Sequence, residues 1–237
     1  MATKKAENTR SERPKKSAAG TSLVLRVCRE DLTAFGGFQW PSKVGATVSA
    51  PDWDKSNECG NGLHGWLYGQ GELCVDFWSE ENAKWLVLEV ITADIVMLGG
   101  KCKFPSAKVR FVGDKNSAVE YLIKHEPLAA TVAVIGATHA VGNNQLVAVG
   151  ALGTATAGDR GTATAGDIGT ATAGYRGTAT AGDSGTATAG DSGTISIIYW
   201  CTKAEKYKVK IGYIGEDGLK PNVAYRLDEN HKFVESV

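Results

Sequence analysis

The stretch Glu58-Cys59-Gly60-Asn61-Gly62-Leu63-His64-Gly65-Trp66-Leu67-Tyr68-Gly69 gathers side chains that could do chemistry. Four glycines in ten positions, set around one histidine and two aromatics, describe a tight loop that lets backbone come close to something. That something is either a ligand or a neighbouring strand. If a ligand, the residues that would hold it are Asn61, Gly62, His64, Trp66 and Tyr68. Cys59, His64, Cys74 and Cys102 are acceptable zinc-ligand types, but no paired C-x-x-C exists and the spacing is irregular, so neither a metal nor another cofactor is expected. A G-x-x-x-x-G-K phosphate loop and a G-x-S-x-G nucleophile elbow are both missing. No residue is assigned as catalytic, and the balance falls against an enzyme.

Strands and a helix must position that segment. LVLRVC (Leu23–Cys28), WLVLEV (Trp85–Val90) and KVRFV (Lys108–Val112) have strand composition. Asp114 can cap a helix running through Ala118, Tyr121, Leu122 and Ile123. Residues 23–128 therefore read as a small α+β domain, with a boundary near Glu126–Pro127 because a residue before proline resists helix.

The next stretch of chain is periodic. From Gly153 it reads GTATAGDR, GTATAGDI, GTATAGYR, GTATAGDS, GTATAGDS and GTISIIYW, and two degraded copies, ATHAVGNN from Ala137 and QLVAVGAL from Gln145, precede them. Thr-Ala-Thr-Ala alternates with period two, so each octad holds one short strand, and Ala-Gly-Asp-x-Gly supplies a corner. There glycine would take a positive φ and aspartate would bond its own local backbone. The alanine positions become Val147 and Val149 near the start and Ile195 and Ile197 at the end, which marks that row as the core. Two octads per coil close the smallest ring, giving a β-solenoid over 129–200, with four coils stacked to roughly 20 Å at about 4.8 Å per rung. Three octads per coil is the alternative. The outer face carries Thr154, Thr162, Thr170, Thr178 and Thr186 beside Thr156, Thr164, Thr172, Thr180 and Thr188. Asp159, Asp167, Asp183 and Asp191 fit satisfied corners better than calcium ligands, since the pattern GGxGxDxUx is not met.

After Trp200, the alternating runs Tyr207–Tyr213 and Val223–Leu227, with Gly215-Glu216-Asp217-Gly218 between them, read as a hairpin or meander over 201–237 that caps the open solenoid end. Tyr199, Trp200 and Tyr213 are residue types enriched in dimer surfaces, so a homodimer through the solenoid or the cap is one expectation. Residues 1–22 form a basic tail with almost no large apolar side chain, expected to be disordered, and a weak nucleic-acid contact is the most it implies. Lys plus Arg equals Asp plus Glu at 26 each, so overall charge calls for neither nucleic acid nor anionic membrane. Five cysteines at no framework spacing suit reduced thiols, and with no apolar run long enough to span a bilayer a cytoplasmic location is expected.

Three resemblances add to this. Ala173–Thr180, AGYRGTAT, resembles the AGYGSTxT octapeptide of bacterial ice nucleation proteins, which implies Thr-x-Thr rows that order water. This array is shorter than theirs, and glycine stands where they have serine. Cys59-x-x-Gly62-x-His64 and Gly62-Leu63-His64-Gly65, placed ahead of octads and a β-rich tail, resemble a phage and prophage family. That implies a mobile-element origin and a host macromolecule as target, with counter-defence as one use. Gly62-x-His64, followed by aromatics and Glu72 or Glu89, is similar to nucleotide-handling transferases of the ADP-ribosyl type, in which the histidine orients a ribose and the glutamate assists. The expectation is a mainly β protein: a small α+β N-terminal domain, a narrow β-solenoid of octapeptide repeats and a β-rich C-terminal cap. It acts as a non-enzymatic binding scaffold, with the transferase and the ice-binding surface as alternatives.

Overall fold

A computed structural model describes residues 20–73 and 76–236. Most of the expected basic tail lies outside these residues, but Thr21 and Ser22, assigned to it from the sequence, belong to the first strand. Seven strands build the N-terminal sheet: β1 (Thr21–Cys28), β2 (Thr47–Ser49), β3 (Leu63–Leu67), β4 (Lys84–Ile91), β5 (Val96–Met97), β6 (Cys102–Phe104) and β7 (Ser106–Gly113). They lie in the order β2-β7-β4-β1-β3-β6-β5, every neighbouring pair antiparallel. β1 and β4 are central and covered on both faces, so their apolar runs are nearly continuous rather than alternating. Helix α1 (Lys115–His125) buries Ala118, Val119 and Leu122 and packs against β1, β4 and β7. Asp114 caps it, accepting from the Ser117 amide at 3.0 Å.

The glycine-rich segment is not one loop. Residues 63–67 form β3, inside the sheet between β1 and β6. A Cβ on Gly65 would stand 2.7 Å from the Leu25 carbonyl oxygen, so this glycine serves the close approach of a neighbouring strand.

The junction at Glu126–Pro127 is welded. The Glu126 side chain is buried, its Oε2 accepting from the Leu23 amide of β1 at 3.0 Å and its Oε1 from the Leu128 amide at 3.2 Å. Beyond it the Ile135 amide donates to the Gly69 carbonyl at 2.9 Å and the Gly150 amide to the Val134 carbonyl at 2.9 Å. One hydrophobic core runs without a break from the N-terminal sheet into the solenoid.

Eight strands come next at octad spacing: β8 (Thr138–Val141), β9 (Leu146–Val149), β10 (Thr154–Ala157), β11 (Thr162–Ala165), β12 (Thr170–Ala173), β13 (Thr178–Ala181), β14 (Thr186–Ala189) and β15 (Thr194–Cys201). Even-numbered strands form one parallel wall and odd-numbered strands the other, so each coil holds two octads and there are four coils. Registers are in step: Thr154 faces Thr170 and Ala155 faces Ala171. The alanines are buried, and Val147, Val149, Ile195 and Ile197 fill the interior near the ends. A methyl group buries little area, about 0.8 kcal/mol each, so cohesion rests largely on bonds between rungs.

The corners differ from their sequence reading. The left-handed residue is the one before the second glycine of each corner, at Leu152, Arg160, Ile168, Arg176, Ser184 and Ser192, with φ between 52° and 58°. Its amide reaches the next coil: Arg160 donates to the Tyr175 carbonyl at 2.8 Å and Ile168 to the Asp183 carbonyl at 2.8 Å. The repeat glycines are needed for proximity instead, since a Cβ on Gly190 would stand 2.6 Å from the Tyr175 nitrogen and 2.7 Å from the Gly174 carbonyl carbon. Nor do the corner carboxylates close on their own backbone. Asp159 Oδ1 accepts from the Tyr175 amide at 2.9 Å and Asp167 Oδ1 from the Asp183 amide at 2.9 Å, each sixteen residues on and one coil away.

The C-terminal strands are β16 (Lys206–Tyr213), β17 (Tyr225–Leu227) and β18 (Phe233–Glu235). β16 pairs with β15, while β17 joins β14 and then β18, so each wall is extended by its own antiparallel strands and the expected pairing of 207–213 with 223–227 does not occur. Ile214, Leu219 and Tyr225 are buried beneath this cap.

Candidate functional site

A cleft of about 760 Å³ opens in the N-terminal domain, within the range of small-molecule sites. β1 contributes Arg26, the segment before β2 contributes Phe35, Gly36, Gly37, Phe38 and Trp40, and the loop into β3 contributes Cys59 to Gly62. His64 and Trp66 come from β3, and Lys101 precedes β6. Arg26 interrupts the apolar run 23–28 of β1. Its Nη1 donates to the His64 carbonyl at 3.3 Å, and its guanidinium lies 5.8 Å from the centroid of the Trp40 ring. Phe38 meets Trp40 edge-on at 5.4 Å.

Lys103, directly across from His64 in the β3–β6 ladder, is 0% exposed. Its Nζ donates to the Glu58 carbonyl at 2.9 Å, the Gly60 carbonyl at 3.4 Å and Ser56 Oγ at 3.5 Å. A buried ammonium would be costly without such acceptors; with them it ties the glycine loop to the sheet.

Three buried side-chain nitrogens have no hydrogen-bond partner among the described residues: Arg26 Nε, Trp40 Nε1 and His64 Nε2. All three belong to side chains that line the cleft. Buried polar groups are nearly always paired, so this concentration at one cavity is a functional signal. Burial, then the charges of Lys101 and Arg26, push His64 down to about 4, against a hydrogen bond to the Gly62 backbone that raises it. The ring is neutral near pH 7. Nε2 is a ring nitrogen buried without a partner, and in the neutral ring it donates or accepts according to the tautomer.

Of the sequence candidates, Asn61, Gly62, His64 and Trp66 come together on this cleft. Tyr68 does not: it follows β3 at a left-handed φ of 56°, and its hydroxyl lies 3.4 Å from Ser22 Oγ. The Trp66 indole N–H is already committed, donating to the Glu72 carbonyl at 2.8 Å, and its buried ring stacks on Trp85 at 5.9 Å. Neither Glu72 nor Glu89 lines the cleft, whose acid is Asp52, and Glu89 pairs with Arg110 at 3.3 Å. Among the described residues no three His, Cys, Asp or Glu side chains gather as a metal site, and Cys74 lies outside those residues. Burial pushes the Cys102 thiol up to about 12 and the Cys28 thiol up to about 11, so neither is a ready nucleophile. Arg26, Trp40, Lys101 and Lys103 escaped the sequence reading. A single arginine inside LVLRVC was the available signal for the first.

The solenoid offers a second surface. Its threonine rows are half-buried and stand in two columns on each wall, with Thr154, Thr170 and Thr186 beside Thr156, Thr172 and Thr188 on one. Thr162 and Thr178 beside Thr164 and Thr180 repeat this on the other. No helix among the described residues is long and apolar enough to cross a membrane.

Comparison with known proteins separates the same two regions. A family model described as Domain of unknown function (DUF7666) matches residues 22–124. The repeats resemble ice nucleation proteins: one from Pseudomonas fluorescens is 34% identical over 116 residues, 46% of this chain and 9% of that protein. One from Pseudomonas syringae is 38% identical over 104 residues, 43% of this chain and 9% of its own length. A third, from Xanthomonas campestris pv. translucens, is 33% identical over 108 residues, 45% of this chain and 7% of its own length. The chain thus spans less than a tenth of these relatives. No solved structure matches it.

Proposed function

We propose that this protein is a non-enzymatic binding scaffold in which the solenoid holds a recognition domain rigidly and the cleft beside His64 engages the partner. The observation that carries this reading is the set of unpartnered nitrogens of Arg26, Trp40 and His64 on the walls of one cavity. The welded Glu126 junction supports it, because a recognition site fixed to a rod keeps its orientation. A phage origin and a host macromolecule as target are part of the proposal and rest on the Gly-Leu-His-Gly resemblance. The test is affinity capture with the tagged full chain, followed by mass spectrometry. Partners should be retained by Thr172→Lys and lost by His64→Ala; capture that survives His64→Ala together with Arg26→Gln would sink the reading.

One observation favours a second reading, ice binding. The threonine columns are uninterrupted and in register on both walls, and proteins named for ice nucleation share the repeat. Purified protein would then show thermal hysteresis that Thr172→Lys removes. Homodimerisation through the cap is supported by Tyr207, Val209, Ile211 and Tyr213, exposed on β16, an edge strand, with Trp200 nearby. Sedimentation should then give a dimer that Ile211→Lys dissociates.

A further inference from the structure

Resting on the reading of the cleft as a binding site, we infer that it takes a small anion bearing a flat conjugated ring, the chemistry of a nucleoside monophosphate. Charge is the first argument. Arg26 and Lys101 line the cleft against Asp52 alone, and Lys103 stands behind it on neutral acceptors. None of these three cations has a carboxylate within ion-pair distance among the described residues.

Donor and acceptor types are the second argument. Arg26 Nε–H and Trp40 Nε1–H are two donors suited to an anion or a ring carbonyl, and His64 Nε2 adds a third unpartnered nitrogen whose role as donor or acceptor follows the tautomer. An uncharged ring would leave the cations unanswered.

The walls are the third. Phe35, 85% exposed at the cleft, and half-buried Phe38 supply accessible aromatic surface, over a floor of buried Trp40 and Trp66. Phe35 precedes Gly36 and Gly37, both left-handed at φ 72° and 76° with nothing within 4 Å of where a Cβ would stand. An apolar ring left in water beside a polar cleft is placed to stack on a planar ligand.

The experiment is calorimetric titration of the full chain, with tryptophan fluorescence as a second readout, against nucleoside monophosphates, the matching nucleosides and inorganic phosphate. Saturable binding of at least one monophosphate is expected, about tenfold or more tighter than its nucleoside or phosphate alone. Binding should weaken with salt, about tenfold in Lys101→Glu and several-fold in Phe35→Ala, two surface changes whose unaltered melting would show an intact fold. A short 5′-phosphorylated oligonucleotide distinguishes a free nucleotide from a strand end, according to which binds tighter; either result keeps the ligand class. Nucleosides binding as tightly as nucleotides, or no saturable binding of either, overturns the inference. If partner capture nonetheless stays sensitive to His64→Ala, the scaffold reading stands and only the ligand class falls.

Discussion

The solenoid and the domain before it solve the problem of buried polar groups in opposite ways. In the array the corner amides of Asn144, Leu152, Arg160, Ile168 and Arg176 each find a carbonyl one coil away, and Asp159 and Asp167 reach amides of the following coil. In the domain, Arg26, Trp40 and His64 keep buried nitrogens without partners at one cavity. Repetition spreads satisfaction, because a bond that closes between two coils recurs wherever a further coil follows with the same residues. It also leaves nothing distinctive inside. Unpartnered polar groups therefore concentrate where the sequence is irregular, and the regular part presents a patterned exterior.

The sharpest way to break this comparison is inside the array. Ala171 is 0% exposed between the walls, so Ala171→Glu should cost about 3–5 kcal/mol or prevent coiling, while Thr172→Lys, one position along, should stay within about 0.5 kcal/mol. Urea denaturation of both variants checks this, and equal losses would mean the two faces are not distinct. Gly190→Ala ranks next. Its Cβ would press on the backbone of Tyr175 and Gly174, and overpacking of this kind should cost about 1–3 kcal/mol, visible as a lowered denaturation midpoint.

Two changes probe the domain. Lys103→Met should cost about 1–3 kcal/mol by stripping the Glu58 and Gly60 carbonyls of their donor, and limited proteolysis should then cut near residues 56–62. His64, with its folded pKa at about 4 and an ordinary value of 6.5, binds its proton more readily when the chain is unfolded. Its contribution is complete above pH 6.5 and lost as pH falls toward 4, so His64→Gln should flatten that part of a pH–stability curve. The smallest effect returns to the corners. Ile168 is β-branched at φ 58°, where asparagine is better tolerated, so Ile168→Asn should stabilise by up to about 1 kcal/mol in thermal melts.

How much the sequence reveals obeys the same division. The octads disclose wall, core row and coil size because one pattern is stated many times, and Asp114 discloses the start of α1 because a cap is a local device. Local reasoning fails at the corners for a physical reason. The aspartate there bonds a residue sixteen positions on, a contact that exists only once coils stack. β3 is hidden because its Gly65 is dictated by the neighbouring Leu25 backbone, not by a turn. Arg26, Trp40 and Lys101 lie far apart in the chain, and only the antiparallel sheet and the loops around it bring them to the cleft that His64 announces.

Native-state hydrogen exchange of the full chain tests most directly whether a rigid array carries an adaptable cleft. Amides of β10 through β14 should exchange only by global unfolding, while those of residues 35–37 and 58–62 should exchange through small local openings. Array amides exchanging as fast as those loops would refute the division between a stiff rod and a yielding site.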